Sequence, residues 1–374
     1  MANTFKFGNG EWAVGKETAL AYNDENNNFK PLLFSFDRGS IATVVNKDGL
    51  IETVATDEPR IDFLNNTKGH LLLEPARTNL VTYSEDFTTW GGSGYMTSNY
   101  AISPDGTQNA SRCLFTGGNQ ILSTGSTLST GVSCSATIYV KGVSGETIQL
   151  AAGGVDAIHI LNGSWQRIET NATSINSTIV LNTYGGATAR DLLIWGAQLE
   201  EGSYATSYIP TSGSAVTRSA DVCNNAGNSN VFNDSEGVLY WECSSLYDDL
   251  TNRIISISQG NQNNTVQLYF DASSNRIRGT VRAVDGTYQC ILNYTVSDTT
   301  DYIKAAIKYK QNDFALWVNG VERATDASGS APTGLSEVSF DSGSGSLDFY
   351  GKVKDLRVYN TALSDSELQA LTQV

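Results

Sequence analysis

YIKAAIKYKQNDFALWVNGVERA, residues 302–324, decides the fold class. Ile303, Ala305, Ile307 and Tyr309 alternate with Lys304, Lys308 and Lys310, so a strand here buries one face and wets the other. DFALWVNGVERA then reads as a hairpin, because Asn319-Gly320 suits the two consecutive positive-φ positions of a type I′ turn. Upstream, RIRGTVRAV (276–284) repeats the alternation, with Ile277, Val281 and Ala283 inward and Arg276, Arg278 and Arg282 outward. Two stacked antiparallel sheets would bury these inner faces against each other.

The same rhythm runs through the chain: short β-branched and aromatic runs separated by Gly, Asn, Asp and Ser. CSATIYVKG (134–142) turns Ala136, Ile138 and Val140 one way, and TIQLAA, SWQRIET, STIVLNTY and RDLLIWGAQLE follow at jelly-roll spacing. Nearer the start, IATVV and LIETV flank Asn46-Lys47-Asp48-Gly49, a second hairpin signal. The one good helical signal is last. Ser364 stands before DSELQALTQV with Glu367 three residues on, the pattern of a capping box.

We therefore expect an all-β chain with a short C-terminal helix, and 374 residues exceed one ordinary sandwich. The expected division is an N-terminal β-rich segment over 1–80, a jelly roll over 81–222, an Asn-, Gly- and Ser-rich linker over 223–237, and a second sandwich over 238–374. The first segment is too small to bury much surface alone, so it should pack on a neighbouring domain, a sister subunit or a larger assembly.

Charge and cysteine content narrow the function. A net charge of −15 argues against nucleic acid and anionic membrane surfaces as partners. No run approaches the length of a membrane span, and MANTFKFGNGEW lacks the basic and apolar regions of a secretion signal, which predicts synthesis in the cytoplasm of a host. Cys113, Cys134, Cys223, Cys243 and Cys290 are odd in number and show no CxxC pair, so they read as small core residues.

Residues 315–324 and GKVKDLRVYNTALSDSELQAL (351–371) resemble the closing half of concanavalin A-like, laminin-G-like sandwiches. FDRGSIATVVNKDGLIETVATDEPRIDF (36–63), GHLLLEPARTNLVTYSEDFTTW (69–90) and WGAQLEEGSYATSYIPTSGSAVTRSADV (195–222) resemble linked modules of bacteriophage head-fibre, tail-fibre and spike proteins. That resemblance implies a location on the virion surface and attachment to other virion proteins through residues 1–80. It further implies a carbohydrate-binding-module-like jelly roll and a homotrimer whose threefold axis runs through the N-terminal unit.

Catalysis finds little support. Retaining hydrolysis needs two carboxylates on one strand face, and no E-x-D-x-x-E run exists; Asp248-Asp249 and Glu200-Glu201 are adjacent and would point to opposite faces of a strand. His70 reads as a structural hydrogen-bonding residue, and His159 as solvent- or groove-facing. Sugar binding asks only for an aromatic plate beside polar groups. Trp90, ahead of the loop GGSGYMTSNY, leads the candidates, with Tyr95, Tyr100, Trp165, Tyr184 and Trp317 after it and Tyr247 and Tyr288 as further aromatics. Trp195 and Trp241 read as core. No cofactor is expected beyond a structural calcium ion, for which Asp248, Asp249 and Asn252 are the candidate ligands. The expectation is a non-enzymatic appendage that displays glycan-binding domains toward surface polysaccharide. The alternatives are a polysaccharide depolymerase and an inert decoration protein.

Overall fold

Ile303–Lys310 and Phe314–Val318 pair antiparallel, and Val318 meets Val321 across a turn in which Asn319 and Gly320 have φ of 50° and 77°. This is the expected hairpin. In the computed structural model, which describes residues 4–23, 30–183, 189–283 and 286–374, the chain forms two compact units, each built of antiparallel sheets. The first comprises residues 1–39, 55–75 and 220–374, and the second residues 40–54 and 76–219.

In the first unit one sheet runs in the order Val222–Asn224, Lys30–Asp37, Thr18–Asn23, Phe5–Gly8, Gly351–Tyr359, Glu236–Ser245, Ile303–Lys310, Phe314–Val318 and Val321–Asp326. The facing sheet runs Thr287–Thr295, Arg276–Ala283, Thr265–Phe270, Arg253–Ser258 and Glu337–Ser339. Phe5, Phe7, Phe34, Trp241, Ile307 and Leu356 join Ile255, Leu268, Ile277 and Val281 in one core. Gly279 lets the sheets close, because a Cβ there would lie 2.8 Å from the end of Ile307. The outer face of the larger sheet is covered in part by the helix Asp365–Thr372, whose Leu368 packs with Tyr240, Ala306, Trp317 and Tyr359. The capping box is formed: the Glu367 carboxylate accepts from the Ser364 N–H at 2.8 Å and from its hydroxyl at 2.7 Å.

The division between units differs from the one read in the sequence. Phe5–Gly8 pairs along its whole length with Gly351–Tyr359, so the N-terminal segment is not a body of its own, in keeping with its small size. Residues 40–54, including the hairpin Ala42–Val45 with Ile51–Val54, belong to the second unit instead. The stretch 223–237 is not a free linker: Val222–Asn224 pairs with Lys30–Asp37, Ala226 bridges Val338, and Val231 and Phe232 enter the core.

The second unit has the expected jelly-roll rhythm. Met96–Ala101, Ala110–Phe115, Arg190–Glu201, Ser133–Lys141 and Gln166–Thr173 make one sheet, and Ile121–Gly125, Thr178–Asn182, Thr147–Ala152 and Val155–Ile160 make the other. Ala136, Ile138, Val140, Leu150, Leu181 and Ile194 fill the space between.

The chain passes between the units after residues 39, 54, 75 and 219, and within the first unit a buried ionic cluster stands beside each of these points. Arg38 lies 3.2 Å from Asp221, Arg60 lies 2.6 Å from Glu74 and also meets Asp221, and the Glu74 N–H donates to Asp221 at 2.8 Å. Arg38 further donates to the carbonyls of Ala55 and Glu58. Burial opposes the charge on Arg60, yet Asp221 and Glu74 outweigh it and raise its pKa. These residues come from the stretches 36–63, 69–90 and 195–222. In the second unit the same stretches meet again: Asn79 donates to the carbonyls of Ala197 and Ile209, and the Ser84 and Tyr208 hydroxyls lie 2.7 Å apart.

Candidate functional site

In the first unit, the outer face of the sheet containing Arg276–Ala283 is ordered by strand register. Arg282 stands opposite Thr265 and Tyr288, Thr280 opposite Gln267 and Ile291, and Arg278 opposite Tyr269 and Asn293. Cys290 faces Val281 while Tyr288 faces Arg282, so Gln289 is an extra residue that re-aims the end of its strand. Without this bulge Tyr288 would not share a row with Arg282.

The side chains form a connected platform. The Arg282 guanidinium lies 4.3 Å from the Tyr288 ring centroid, donates to the Tyr288 hydroxyl, and donates to Gln262 Oε1 at 2.9 Å. Gln262 in turn donates to the Ser342 and Ser344 hydroxyls, and Gln267 donates to the Ser342 carbonyl at 2.9 Å. Arg278 donates to Asn293 Oδ1 at 2.6 Å, while Asp271 holds Arg276 and lies 3.3 Å from Arg278. Burial pushes the Tyr269 hydroxyl up, against the lowering effect of Arg278. Tyr288 and Ile291 remain 45% and 47% exposed. A flat aromatic–guanidinium surface beside an exposed alkyl group and amide side chains can seat the apolar face of a sugar ring and hydrogen-bond its hydroxyls.

The residues singled out in the sequence fall elsewhere. Trp90 is 3% exposed, packs on Phe87 at 5.1 Å, and donates its indole N–H to the Tyr83 carbonyl; it is a core residue with no free face. The Gly-rich segment after it is held too, since Gly91 pairs with Ser123. Trp317 is likewise buried, under the C-terminal helix. Tyr95 is half-buried edge-on against Phe115. Trp165 is half-buried beside Trp195 and Tyr208, its indole N–H on the Ile102 carbonyl. Tyr100 is 51% exposed with Arg112 over its ring, but that guanidinium is clamped by Asp191 through two 2.7 Å bonds. Tyr184 lies outside the described residues. Tyr247 is exposed. Trp195 and Trp241 are core, and the cysteines are free and buried, as expected.

The calcium candidates each serve a loop. Asp248 accepts from the Ser274 hydroxyl and the Asn275 N–H, Asp249 is taken by Arg253 at 2.5 Å, and Asn252 caps the Ala272 N–H. Among the described residues no group of three His, Cys, Asp or Glu side chains is placed to hold a metal. His70 is buried, yet neither ring nitrogen has a hydrogen-bond partner among the described residues, which corrects the structural-hydrogen-bond reading. Burial, then Lys352 and Lys354, lower its pKa to about 3, so the ring is neutral. His159 is half-buried, with Nε2 at 2.9 Å from the Thr170 hydroxyl.

The sequence reading missed a pair of carboxylates in the second unit. The Asn109 amide donates to Glu85 at 3.2 Å and to Asp105 at 3.0 Å. Burial raises the Glu85 pKa, while hydrogen bonds from Ser103, Thr107 and Asn109 overcome burial and lower that of Asp105. Glu85 also accepts from the buried Tyr208 hydroxyl at 2.9 Å. Twenty residues separate the two in sequence, so no local motif announces them. Elsewhere in this unit a groove of about 400 Å³ is lined by Arg77, Thr78, Thr127, Glu201 and Thr217.

Residues 243–369, which contain the platform, match the family model of the concanavalin A-like lectin/glucanases superfamily, laminin G type. No curated protein matches the chain in sequence. Among solved structures the chain is similar to the carbohydrate-binding module of a Ruminococcus gnavus sialidase bound to α2,3-sialyllactose (21% identity, 40% of this chain and 94% of that one, TM-score 0.34). It is also similar to a pentraxin from Limulus polyphemus (13%, 37% and 70%, TM-score 0.30). A third is domain 4 of an arabinanase from Geobacillus stearothermophilus in complex with arabinotriose (13%, 46% and 83%, TM-score 0.29).

Proposed function

We propose that this protein binds glycans and leaves them intact. The observation that carries the reading is the Tyr288–Arg282 stack, with Tyr288 exposed, flanked by Ile291 and by the amides of Asn293 and Gln262, at the exposed edge of the sheet's outer face. The carboxylate seen on this platform, Asp271, is engaged by Arg276 and Arg278, which leaves it no role as a proton donor to a ligand. The test is affinity electrophoresis of the whole chain against a panel of polysaccharides. Tyr288→Ala should weaken retardation roughly tenfold; unchanged retardation by the variant would contradict the assignment of this face.

The resemblance of residues 36–63, 69–90 and 195–222 to fibre and spike proteins supports a finer reading. The chain is then an appendage on the surface of a bacteriophage particle, made in the host cytoplasm, assembled as a homotrimer and joined to other virion proteins through residues 1–80. Such an arrangement suits weak sites, because repetition over subunits raises avidity without new contacts. Light scattering on the purified chain should give three times the mass of one copy, and a monomer would contradict the trimer.

A second reading, depolymerase action, is favoured by one observation, the Asn109-bridged Glu85 and Asp105 with pKa values pushed apart. Release of reducing ends by the wild type and not by Glu85→Gln would establish it.

A further inference from the structure

The outer face of Arg276–Ala283 holds an excess of positive charge in an acidic chain. Lys and Arg number 24 against 39 Asp and Glu, yet Arg276, Arg278 and Arg282 project from one side of a single eight-residue strand. Alternation explains their common direction, with Ile277, Val281 and Ala283 buried on the other side. Among the described residues, little of that charge is neutralised. Arg276 and Arg278 share the Asp271 carboxylate, and Arg282 is held by the neutral Gln262 and Tyr288.

These guanidiniums are also set in place. Arg282 is stacked on Tyr288 and hydrogen-bonded at Nη1 and Nη2, whereas its buried Nε has no partner among the described residues. Arg278 is fixed through Nε on Asn293. The side-chain entropy that a ligand would otherwise have to remove is already gone, and a planar fork beside an aromatic plate matches a carboxylate better than a hydroxyl. The chain as a whole carries a net charge of −15 and repels polyanions, so a local excess of positive charge on this face favours approach there.

We propose that the platform selects acidic polysaccharide, with Arg282 receiving the carboxylate of a uronic acid, Tyr288 and Ile291 receiving the ring, and Arg278 adding positive charge along the same strand. This rests on the glycan-binding reading of the same face and adds its ligand class. Nothing is cleaved or transferred.

The experiment is isothermal titration of the full chain with polygalacturonate, with dextran as the neutral probe and dextran sulfate as the sulfated one. Polygalacturonate should bind at least tenfold more tightly than dextran, with affinity falling as salt rises. Arg282→Gln should weaken polygalacturonate binding at least tenfold and dextran binding by a smaller factor, so that most of the preference is lost. Arg282→Lys, which keeps the charge and loses the fork, should recover only part of it. Circular dichroism confirms that each variant is folded. Equal binding of dextran and polygalacturonate overturns the acidic-ligand inference while glycan binding stands. Tighter binding of dextran sulfate that is indifferent to Arg282→Lys overturns carboxylate recognition in favour of bulk charge. Binding of none of the three overturns the underlying reading as well.

Discussion

His70 carries the clearest pH signature in the chain. The folded protein holds its pKa near 3, below the usual 6.5, because burial and two nearby lysines disfavour the imidazolium. Between those values the unfolded chain binds the extra proton and the folded one does not, so this contribution to stability is complete above pH 6.5 and is lost as pH falls. The slope from this single residue reaches about 1.4 kcal/mol per pH unit. Denaturant midpoints measured from pH 7 to pH 4 should fall less steeply for His70→Leu than for the wild type, and parallel curves would contradict it. Asp221 tests the ionic cluster. Asp221→Asn leaves the buried Arg38 and Arg60 with Glu74 alone among the carboxylates of the cluster, which should cost about 3–5 kcal/mol in urea unfolding. A cost below about 0.5 kcal/mol would mean that the cluster is solvated in solution.

At the scale of elements, alternation was legible and coverage was not. The strands Ser133–Lys141, Arg276–Ala283 and Ile303–Lys310, both hairpins and the capped C-terminal helix follow from periodicity, turn chemistry and one capping box. Trp90 and Trp317 differ from the sequence reading for one physical reason: whether such an aromatic is covered depends on segments distant in sequence, such as the helix over Trp317. Tyr288 was in view as one aromatic among several, and its prominence comes from a bulge that sequence does not announce. Glu85 and Asp105 meet only through a long-range fold. The helix offers a direct test. Leu368→Ala should cost about 2–5 kcal/mol and speed amide exchange over residues 365–372 and around Trp317; wild-type exchange there would show that the helix does not depend on this contact.

For the whole molecule, the interleaved division into two units is the main departure from a linear reading. The first unit is assembled from three separate stretches of chain, and Arg38, Arg60, Glu74 and Asp221 tie those stretches to one another within it. Residues 36–63, 69–90 and 195–222 therefore hold structural residues of this cluster. The proposed glycan contact falls instead on Tyr288, Arg282 and Asn293, within the residues that match the concanavalin A-like family model.

The most direct test of holding without cutting follows binding and chain length on the same sample. The full chain is incubated with polygalacturonate, the complex is separated from free protein, and the recovered polysaccharide is sized and assayed for reducing ends. The account predicts retained protein and polysaccharide of unchanged length after prolonged incubation; shortened chains whose appearance depends on Glu85 would contradict it.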